Sequence, residues 1–340
     1  MADITLAANN PDLGGGEQML LRHAEVLLDL DHAVTVVAPD SPTEVLDAAA
    51  KIGAGVVAIR ADGRRDYVTR LRSWDRAERL GLLWCHGLVP ALATSGHRDR
   101  VIHLHQLPRN KAQRLALGAT RPGSTQILSP SVFLSSQVRG AVVCANWTDR
   151  VTRLQLPTGQ RRVGFLGRLS TDKGLDVLAN AVASDTFLSD VQLLAAGDDR
   201  WVPEGQRTTV THALEPLAGR VTLPGRLTPA EFFADIDLAV FPSRVDEAFG
   251  LVVAEAMASG VPFVISDAGA LPEVAGPDHP WVARRGDVAD LARVLAEALS
   301  ASDETRRAVT DAARARWEAE YSPAAGRQRV ARLLEELDIS

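Results

Sequence analysis

The chain has 340 residues, of which 46% are hydrophobic, 24% are charged and 5% are aromatic, and its formal net charge is −6 at pH 7. This composition is typical of folded α/β proteins and excludes the disordered and fibrous classes. The length predicts two domains of ordinary size. Because no apolar run reaches the length of a membrane span, the first residues lack the basic region of a signal peptide, and only two cysteines occur, we expect a reduced protein of the cytoplasm.

Positive charge is concentrated between residues 60 and 121. This segment contains twelve arginines and Lys111 against five acidic residues, which gives it a local charge of +8 and leaves −14 for the remainder. Such a segment can attract an anionic membrane surface, to which the protein would bind peripherally, or a phosphorylated acceptor. A solvated arginine-rich helix face is the other interpretation.

The first half of the chain predicts strands that alternate with helices. A strand over residues 4–8 is followed by three glycines and by a helix over 17–29, in which apolar residues recur at helical spacing. Further strands are predicted at 33–38, 55–59, 80–85, 100–105 and 126–129. Because strands joined by helices pair in parallel, this half predicts a parallel sheet with helices on both faces.

The same alternation begins again near residue 161. Strands are predicted at 163–167, 191–196, 221–223, 238–241 and 262–265, with a helix over 174–183. The polar stretch 152–160, which contains a proline and a glycine, is predicted to be a linker. We therefore expect an α/β fold of two doubly wound, Rossmann-like domains that face each other across a cleft. They would comprise residues 1–155 and 160–305, followed by helices over 306–340 that pack back on the first domain.

Two glutamates lie where the second half predicts a strand that leads into a helix. Glu247 falls in the loop after the strand, and Glu255 falls in the helix, which ends at Gly260. Ligands bind at the carboxyl ends of the strands in open parallel sheets, so the two carboxylates could hold an elongated polar ligand. On spacing alone, a capping carboxylate and an ordinary surface glutamate are the alternative.

Two loops that contain glycine predict phosphate binding. Gly15 and Gly16 directly precede a helix, and the first N–H groups of a helix bind anions. Residues 167–174 hold the corresponding place in the second half and contain Arg168 and Lys173, two cations suited to a diphosphate. Neither loop has the dinucleotide fingerprint or the P-loop pattern. Taken alone, the glycines are explained by a turn and the cations by solvation.

Three histidines lie within or directly after two predicted strands of the first half. His86 comes directly after one strand, and His103 and His105 alternate along another, so that they share one face of it. His105 lies nearer the carboxyl end, where it can hydrogen-bond a hydroxyl group or transfer a proton. We expect His103 to be a packing residue, and the role of His86 is left open.

Two acidic patterns invite interpretation as a metal site. Asp235 and Asp237 form a D-x-D string, and Asp198 and Asp199 follow a predicted strand. However, Asp237 directly precedes a buried strand, and Asp198 belongs to a turn that contains glycine. We therefore expect no metal site.

Together these motifs resemble the retaining glycosyltransferases of family 4, which have two Rossmann-like domains in the GT-B arrangement. The resemblance rests on residues 167–174, on the two glutamates, on the block 266–274 and on the glycines before Glu17, which occur in the family's order. It covers nearly the whole chain and is strongest over 163–276.

The resemblance implies which residues would hold a nucleotide diphosphate sugar. The backbone of Gly15 and Gly16 would approach the diphosphate, and Arg168 and Lys173 would neutralise it. Glu255 would hold the ribose hydroxyls. Further implied donor contacts are Gly197 and Asp198 beside the base, and Ala248, Phe249, Gly250 and Leu251 beside the sugar.

The resemblance also implies a reaction. A glycosyl group would pass from the donor to an acceptor hydroxyl, with retention of the anomeric configuration and without a metal. The implied catalytic residues are His105, Glu247, Arg168 and Lys173. A UDP-sugar or a GDP-sugar is the expected donor and no separate cofactor is expected. The expected acceptor is a small molecule, a glycan or a lipid-linked molecule of carbohydrate biosynthesis, and no nucleic acid is expected as a partner.

Two alternatives stay open. A nucleotide-sugar epimerase or hydrolase would keep the fold and the donor site but would change the reaction. A non-catalytic subunit that binds a sugar nucleotide would keep the site without turnover. It is also open whether Glu247 is more than a ligand of the donor sugar.

Overall fold

The computed structural model describes residues 1–108, 110–152 and 161–339. Two compact units are present, one formed by Met1–Asn146 together with Gly326–Ser340, and the other by Trp147–Ala325. The predicted boundary between the domains, at 155–160, falls outside the described residues. That boundary stays a prediction, as does the arrangement of two domains across a cleft.

The first unit contains a seven-stranded sheet in which all neighbouring strands are parallel. Its strands are β1 (Asp3–Ala7), β2 (Ala33–Pro39), β3 (Gly55–Ile59), β4 (Leu82–His86), β5 (Arg100–His103), β6 (Ser124–Ser129) and β7 (Ala141–Val143). Their order is β3-β2-β1-β4-β5-β6-β7, so the direction in which strands are added reverses between β1 and β4. The predicted parallel sheet is confirmed, with β7 as a short strand that the sequence pattern did not predict.

Six helices connect these strands. They are α1 (Gly15–Asp29), α2 (Glu44–Lys51), α3 (Arg64–Ala77), α4 (Leu88–Ala93), α5 (Lys111–Thr120) and α6 (Val132–Gln137). Helix α1 begins two residues earlier than predicted, so Gly15 and Gly16 form its first turn. Its buried face includes Met19, His23 and Leu27, each four residues apart, and contacts β2 and β4.

The central strands β4 and β5 are buried at every position. Parallel strands covered on both faces have this character, because helices exclude water from each side of the sheet. Even Arg100 is buried in β5, where its guanidinium donates to the carbonyls of Ala91 and Thr120, among others. Strand β5 ends at His103, two residues before the predicted end, so His105 lies in the loop that follows.

The second unit contains a six-stranded sheet, again with parallel neighbours throughout. Its strands are β8 (Arg162–Leu166), β9 (Gln192–Ala196), β10 (Val221–Gly225), β11 (Leu238–Phe241), β12 (Phe263–Ser266) and β13 (Val282–Ala283). Their order is β10-β9-β8-β11-β12-β13, which places a second reversal between β8 and β11. Two doubly wound sheets are therefore confirmed, and β13 was not predicted because it has only two residues.

Helices cover this sheet as they cover the first. They are α7 (Leu175–Ser184), α8 (Glu204–Leu214), α9 (Pro229–Ala234), α10 (Leu251–Ser259), α11 (Leu271–Ala275), α12 (Val288–Ser300) and α13 (Asp303–Glu320), with short 3₁₀ turns at Thr186–Leu188 and Glu215–Leu217. Helix α10 ends at Gly260, whose φ of 70° is the left-handed conformation that glycine adopts easily. The predicted helix and its end are therefore confirmed.

The carboxyl-terminal helices belong to both units. Helix α13 is part of the second unit, where Trp317 Nε1 donates to Thr148 Oγ1 at 2.9 Å. Helix α14 (Pro323–Glu336) begins in the second unit and continues in the first from Gly326. The prediction that helices over 306–340 pack back on the first domain stays a prediction.

His279 is expected to make the second unit sensitive to acid. Its ring stacks on Phe263 with the ring centroids 4.3 Å apart, and its Nε2 donates to the Phe263 carbonyl at 3.0 Å. Burial lowers the pKa of His279 from 6.5 to about 4. Between these values the unfolded chain binds a proton that the folded chain does not. The free energy of unfolding should therefore fall by about 1.4 kcal/mol per pH unit as the pH drops through this window.

Urea unfolding at pH 7.0 and pH 4.5 checks this expectation. The His279→Gln variant keeps a donor but cannot take up the proton, so it should lose about 2 kcal/mol less than the wild type between the two pH values. Other histidines titrate in both proteins and cancel in the comparison. An equal loss in the two proteins would show that His279 does not contribute.

Candidate functional site

In the second unit, two of the predicted loops start side by side. Strand β8 pairs with β11, and the strand order reverses between them. Residues 167–174 follow the carboxyl end of β8, and residues 242–250 follow the carboxyl end of β11. The crevice at such a switch point is where open α/β sheets bind their ligands.

An ion pair joins these two loops. Lys173 Nζ lies 2.6 Å from Glu247 Oε1, and Ser243 Oγ donates to the same oxygen at 2.5 Å. The side chains of Lys173 and Glu247 are only 28% and 15% exposed. Ser243 is in turn fixed because its carbonyl accepts a 2.7 Å bond from Ser266 Oγ. The loops predicted for the diphosphate and for the sugar thus meet through their side chains.

Glu247 is held in its charged form. Burial alone would raise its pKa, but the charge of Lys173 and the hydrogen bonds from Lys173 and Ser243 together place the pKa below its usual value. Arg168, which is exposed, adds a smaller effect in the same direction. The site therefore combines one carboxylate with two cations, Lys173 and Arg168, and can accept a further anion.

The Glu247 loop is braced by the loop that follows β12. Glu247 and Gly269 form a parallel β-bridge, and Ala270 N donates to the Glu247 carbonyl at 3.0 Å. Gly269 has a φ of 63°, and a Cβ there would lie 2.4 Å from Glu247 N. Only glycine fits this approach, which explains the glycine in the block 266–274.

The loops after β8 and β9 are also bonded to each other. Gly167 N donates to the Ala196 carbonyl and Leu169 N donates to the Asp198 carbonyl, both at 3.0 Å. Gly197 has a φ of 145°, and a Cβ there would lie 1.8 Å from the Gly167 carbonyl oxygen. The predicted Gly197–Asp198 turn therefore lies directly against the loop that carries Arg168.

Glu255 and the residues before it lie where the sequence predicts them. Helix α10 starts at Leu251 after Gly250, and Phe249 is buried with its ring in edge contact with Tyr321 at 5.4 Å. Ala248 precedes them in the loop. Glu255 is in the second turn of α10 and is 7% exposed, which is unusual for a carboxylate. The helix prediction for Glu255 and the loop prediction for Glu247 are both confirmed as positions.

The D-x-D string lies at the amino ends of β8 and β11, which is the end of the sheet opposite to these loops. Asp237 immediately precedes β11, and its Oδ2 accepts a 2.9 Å bond from Arg162 N at the start of β8. Asp235 pairs with the Arg162 guanidinium. Both carboxylates thus stabilise the amino ends of two strands and are remote from the loops at the carboxyl ends.

In the first unit, the glycines and His105 come together. Gly14 precedes α1, and a Cβ on Gly16 would lie 3.3 Å from His105 Cγ. His105 Nε2 is 2.9 Å from His86 Nδ1, at the end of β4. The rings of His103 and His105 stack with centroids 4.5 Å apart, although His105 lies beyond the end of β5 and not on the strand as predicted. Burial lowers the pKa of His105 to about 4, so its ring is neutral at physiological pH.

Sequence reasoning missed three supporting residues. Ser243 holds Glu247, and its position directly after a buried strand was an available signal. Glu17 is buried and accepts bonds from the backbone and side-chain nitrogens of Asn10 at 3.1 and 3.0 Å, which fixes the chain before α1. Burial raises the pKa of Glu17. No pattern distinguishes Asn10 from an ordinary loop asparagine.

The side chains of Arg72 in α3 and of Arg79, just beyond the end of α3, are committed to the fold. Arg72 donates to the carbonyls of Ala93 and Ser95 at 2.8 and 2.9 Å, and Arg79 pairs with buried Asp75 at 2.6 Å. These guanidinium groups are therefore not simply a solvated or membrane-facing row. Within the described residues, no helix combines the length and the hydrophobicity that crossing a membrane requires.

Residues 160–301 match the family described as glycosyl transferases group 1. This segment is fewer than half of the 340 residues, and over it the chain is similar to the group 1 glycosyltransferases. The segment contains the Lys173–Glu247 pair, Glu255 and the bonded loops around Gly197. The resemblance to glycosyltransferases that the motifs suggested is confirmed at this level.

The relatives of this chain include two D-inositol 3-phosphate glycosyltransferases. The protein of Mycolicibacterium gilvum is 32% identical over 173 residues, which are 48% of this chain and 36% of the relative. The protein of Mycobacterium tuberculosis strain F11 is 30% identical over 199 residues, which are 55% of this chain and 39% of the relative. The aligned part is thus well under half the length of these relatives.

Solved glycosyltransferase structures share the fold over the whole chain. The sucrose-phosphate synthase of Thermosynechococcus elongatus superimposes with a TM-score of 0.84 at 18% identity and covers 99% of both chains. Anabaena HepE, solved in complex with UDP-glucose, gives 0.83 at 19% identity and covers 99% of this chain and 100% of its own. At these identities the likeness shows the fold, which is of the GT-B type.

Proposed function

We propose that this protein transfers a glycosyl group from a nucleotide diphosphate sugar to an acceptor hydroxyl, with retention of the anomeric configuration. The observation that carries the proposal is the Lys173–Glu247 pair, which joins the two loops at the β8/β11 switch point inside the group 1 segment. The fold shared with HepE, whose structure holds UDP-glucose, supports a nucleotide sugar as the donor class.

The diphosphate is assigned to Lys173 and Arg168. An ammonium has three N–H donors, and the bond to Glu247 uses one of them, so Lys173 can still donate to phosphate oxygens. Arg168 is exposed one residue after Gly167, at the mouth of the same loop. Charge that develops on the leaving diphosphate would be offset by these two cations in a partly buried setting, where electrostatic stabilisation is strongest.

The remaining donor contacts in the second unit are assigned to residues in the loops and the helix near the β8/β11 switch point. Glu255 is assigned to the ribose hydroxyls, and the backbone of residues 248–251 to the sugar. Gly197 and Asp198 are assigned to the base. In the first unit, the proposal gives Gly15 and Gly16 a backbone contact with the diphosphate, and His105 a neutral hydrogen-bonding role beside the transferred sugar.

Glu247 is assigned a positioning role rather than that of a nucleophile. Its Oε1 already accepts bonds from Lys173 and Ser243, and a carboxylate oxygen that is bonded twice and paired with an ammonium is a poor nucleophile. We infer that the acceptor attacks on the face from which the diphosphate departs. The diphosphate takes the acceptor's proton, and no covalent glycosyl-enzyme forms.

Thermal unfolding against a panel of nucleotide diphosphate sugars tests the donor assignment. A UDP-sugar or a GDP-sugar should raise the unfolding temperature, because a ligand at 100 times its Kd stabilises the folded state by about 2.7 kcal/mol. The Arg168→Ala variant should show a much smaller rise. Arg307→Ala, which removes an exposed arginine of α13, is the matched control and should respond as the wild type does.

The same panel addresses the alternatives. An epimerase or a hydrolase would convert its nucleotide sugar without an acceptor, which chromatography of the nucleotide products detects. A non-catalytic subunit would bind the sugar nucleotide without turnover across an acceptor panel. No shift with any nucleotide sugar would overturn the donor class itself.

A further inference from the structure

Four histidine rings are packed together in the first unit. His23 comes from α1, His86 from the end of β4, and His103 from the end of β5, while His105 follows β5. The ring centroids of His23, His86 and His103 are 5.2 to 5.4 Å apart. These three side chains are almost fully buried, with at most 1% exposed.

The nitrogens of these three rings converge. One ring nitrogen from each of His23, His86 and His103 lies within 4.8 Å of the other two. A tetrahedral zinc ion with Zn–N bonds of 2.0–2.1 Å holds its nitrogens about 3.4 Å apart, so shifts of roughly 1 Å or less per ring would close the site. The three ligands come from three different elements of the sheet and its cover.

Three buried ring nitrogens of His86 and His103 have no hydrogen-bond partner in the described part of the chain. Neither nitrogen of His103 has a hydrogen-bond partner among the residues that the structure describes, nor does His86 Nε2. Buried polar groups in proteins are almost always hydrogen-bonded, and such exceptions indicate a bound ion, a buried water or a functional role. Every neutral imidazole carries one N–H and one lone pair, so a ring with two unbonded nitrogens is a costly packing residue.

The second nitrogens of His23 and His86 are oriented as they are in metal sites. His23 Nδ1 lies 2.6 Å from the Met19 carbonyl, which can only accept, so Nδ1 carries the proton and Nε2 carries the lone pair. His86 Nδ1 bonds to His105 Nε2 at 2.9 Å. Histidines that bind metals generally donate their other N–H to a carbonyl or another acceptor in this way.

We propose that His23, His86 and His103 bind one first-row transition-metal ion, with Zn²⁺ as the representative. Imidazole nitrogen suits zinc, copper and nickel and is a poor ligand for magnesium or calcium. Zinc in proteins is usually four-coordinate, so three imidazole ligands leave a fourth position for water or hydroxide. The ion would cross-link α1, β4 and β5, and would fix His86 with its Nδ1–H donating to His105.

The acidic motifs led us to expect no metal site, whereas the histidine cluster supports one. The three ligands are separated by 63 and 17 positions along the chain, so no short spacing announces them. The site does not depend on the proposed glycosyl transfer, and its test uses no activity measurement.

The test is zinc binding by the full chain, purified without a histidine tag and stripped with a chelator. Calorimetric titration with ZnCl₂ and metal analysis after dialysis should both give one ion per chain, and Co²⁺ should give the visible absorption of a tetrahedral site. The His103→Phe variant keeps an aromatic ring in the stack but removes a ligand. Its affinity should fall by more than the roughly 10–100-fold that loss of a second-shell partner costs.

His212→Ala is the matched control, because His212 is exposed on α8 in the second unit, and it should bind zinc as the wild type does. X-ray absorption of the zinc-loaded wild type needs no variant and should show a shell of imidazole nitrogens. That spectrum decides the matter if His103→Phe does not fold. No bound ion in the wild type, unchanged affinity in folded His103→Phe, or a shell of carboxylate oxygens would each overturn the proposal.

Discussion

Replacement of Lys173 by alanine is expected to lower kcat/KM for glycosyl transfer by at least about 100-fold, the usual cost of removing one group that stabilises transition-state charge. The change removes an ammonium from the diphosphate and takes away the counter-ion of Glu247. Glu247 then loses the interactions that outweigh its burial, so its pKa should rise. The measurement is steady-state transfer from the donor that gives the largest thermal shift.

Two further variants separate charge from position. Lys173→Met keeps the length of the side chain and should be as inactive as the alanine variant if charge is what matters. Ser243→Ala removes only the second bond to Glu247 Oε1 and should reduce the rate less. Arg207→Ala, an exposed arginine on α8, should leave transfer unchanged. A Lys173→Ala enzyme with the wild-type rate would contradict the assigned role.

Replacement of Gly197 by alanine is expected to destabilise the second unit by about 3 kcal/mol or more, within the range of large steric and strain effects. The added Cβ would lie 1.8 Å from the Gly167 carbonyl oxygen, at a φ of 145°. Gly167 cannot move away cheaply, because its own N–H is bonded to the Ala196 carbonyl. Any structure that forms should also lose nucleotide-sugar binding, since the loop that carries Arg168 must be displaced.

Urea unfolding of matched glycine variants tests this account. Gly205→Ala, in helix α8 with no atom within 4 Å of the new Cβ, should be stabilising by roughly 0.5–1 kcal/mol. Gly225→Ala has a positive φ of 82° but open space, so it isolates backbone strain and should cost about 1–2 kcal/mol. If Gly197→Ala were as stable as Gly225→Ala, the close approach to Gly167 would carry no penalty.

The fold was largely predictable because its signals are local. Apolar strands alternate with amphipathic helices twice, and glycines mark the turns, so both parallel sheets follow from periodicity. The order of strands does not follow from it, because pairing depends on contacts between distant segments. The ends of strands also differ from the prediction where the alternation of apolar residues does not define them. The apolar alternation continues to His105, but β5 stops at His103 and His105 lies in the loop that follows.

The candidate site was predictable as a set of loops but not as a network of bonds. Lys173 and Glu247 were each expected at the edge of the sheet, yet their 2.6 Å contact joins residues 74 positions apart, and no spacing encodes it. His23 sits on the apolar face of α1 and resembles a core residue in the sequence. Its neighbours in space become visible only once β4 and β5 are placed side by side.

The discontinuous first unit has a consequence for the order of synthesis. Residues 326–340 complete that unit, where Val330 and Leu334 are buried and Arg329 Nε donates to the Ala145 carbonyl at 3.1 Å. A ribosome makes this segment only after the entire second unit has been translated. The first half of the chain must therefore wait, without part of its hydrophobic cover, through the synthesis of about 180 residues. Messenger RNAs in which the last codons are translated slowly should prolong the time during which this surface is exposed to chaperones and proteases.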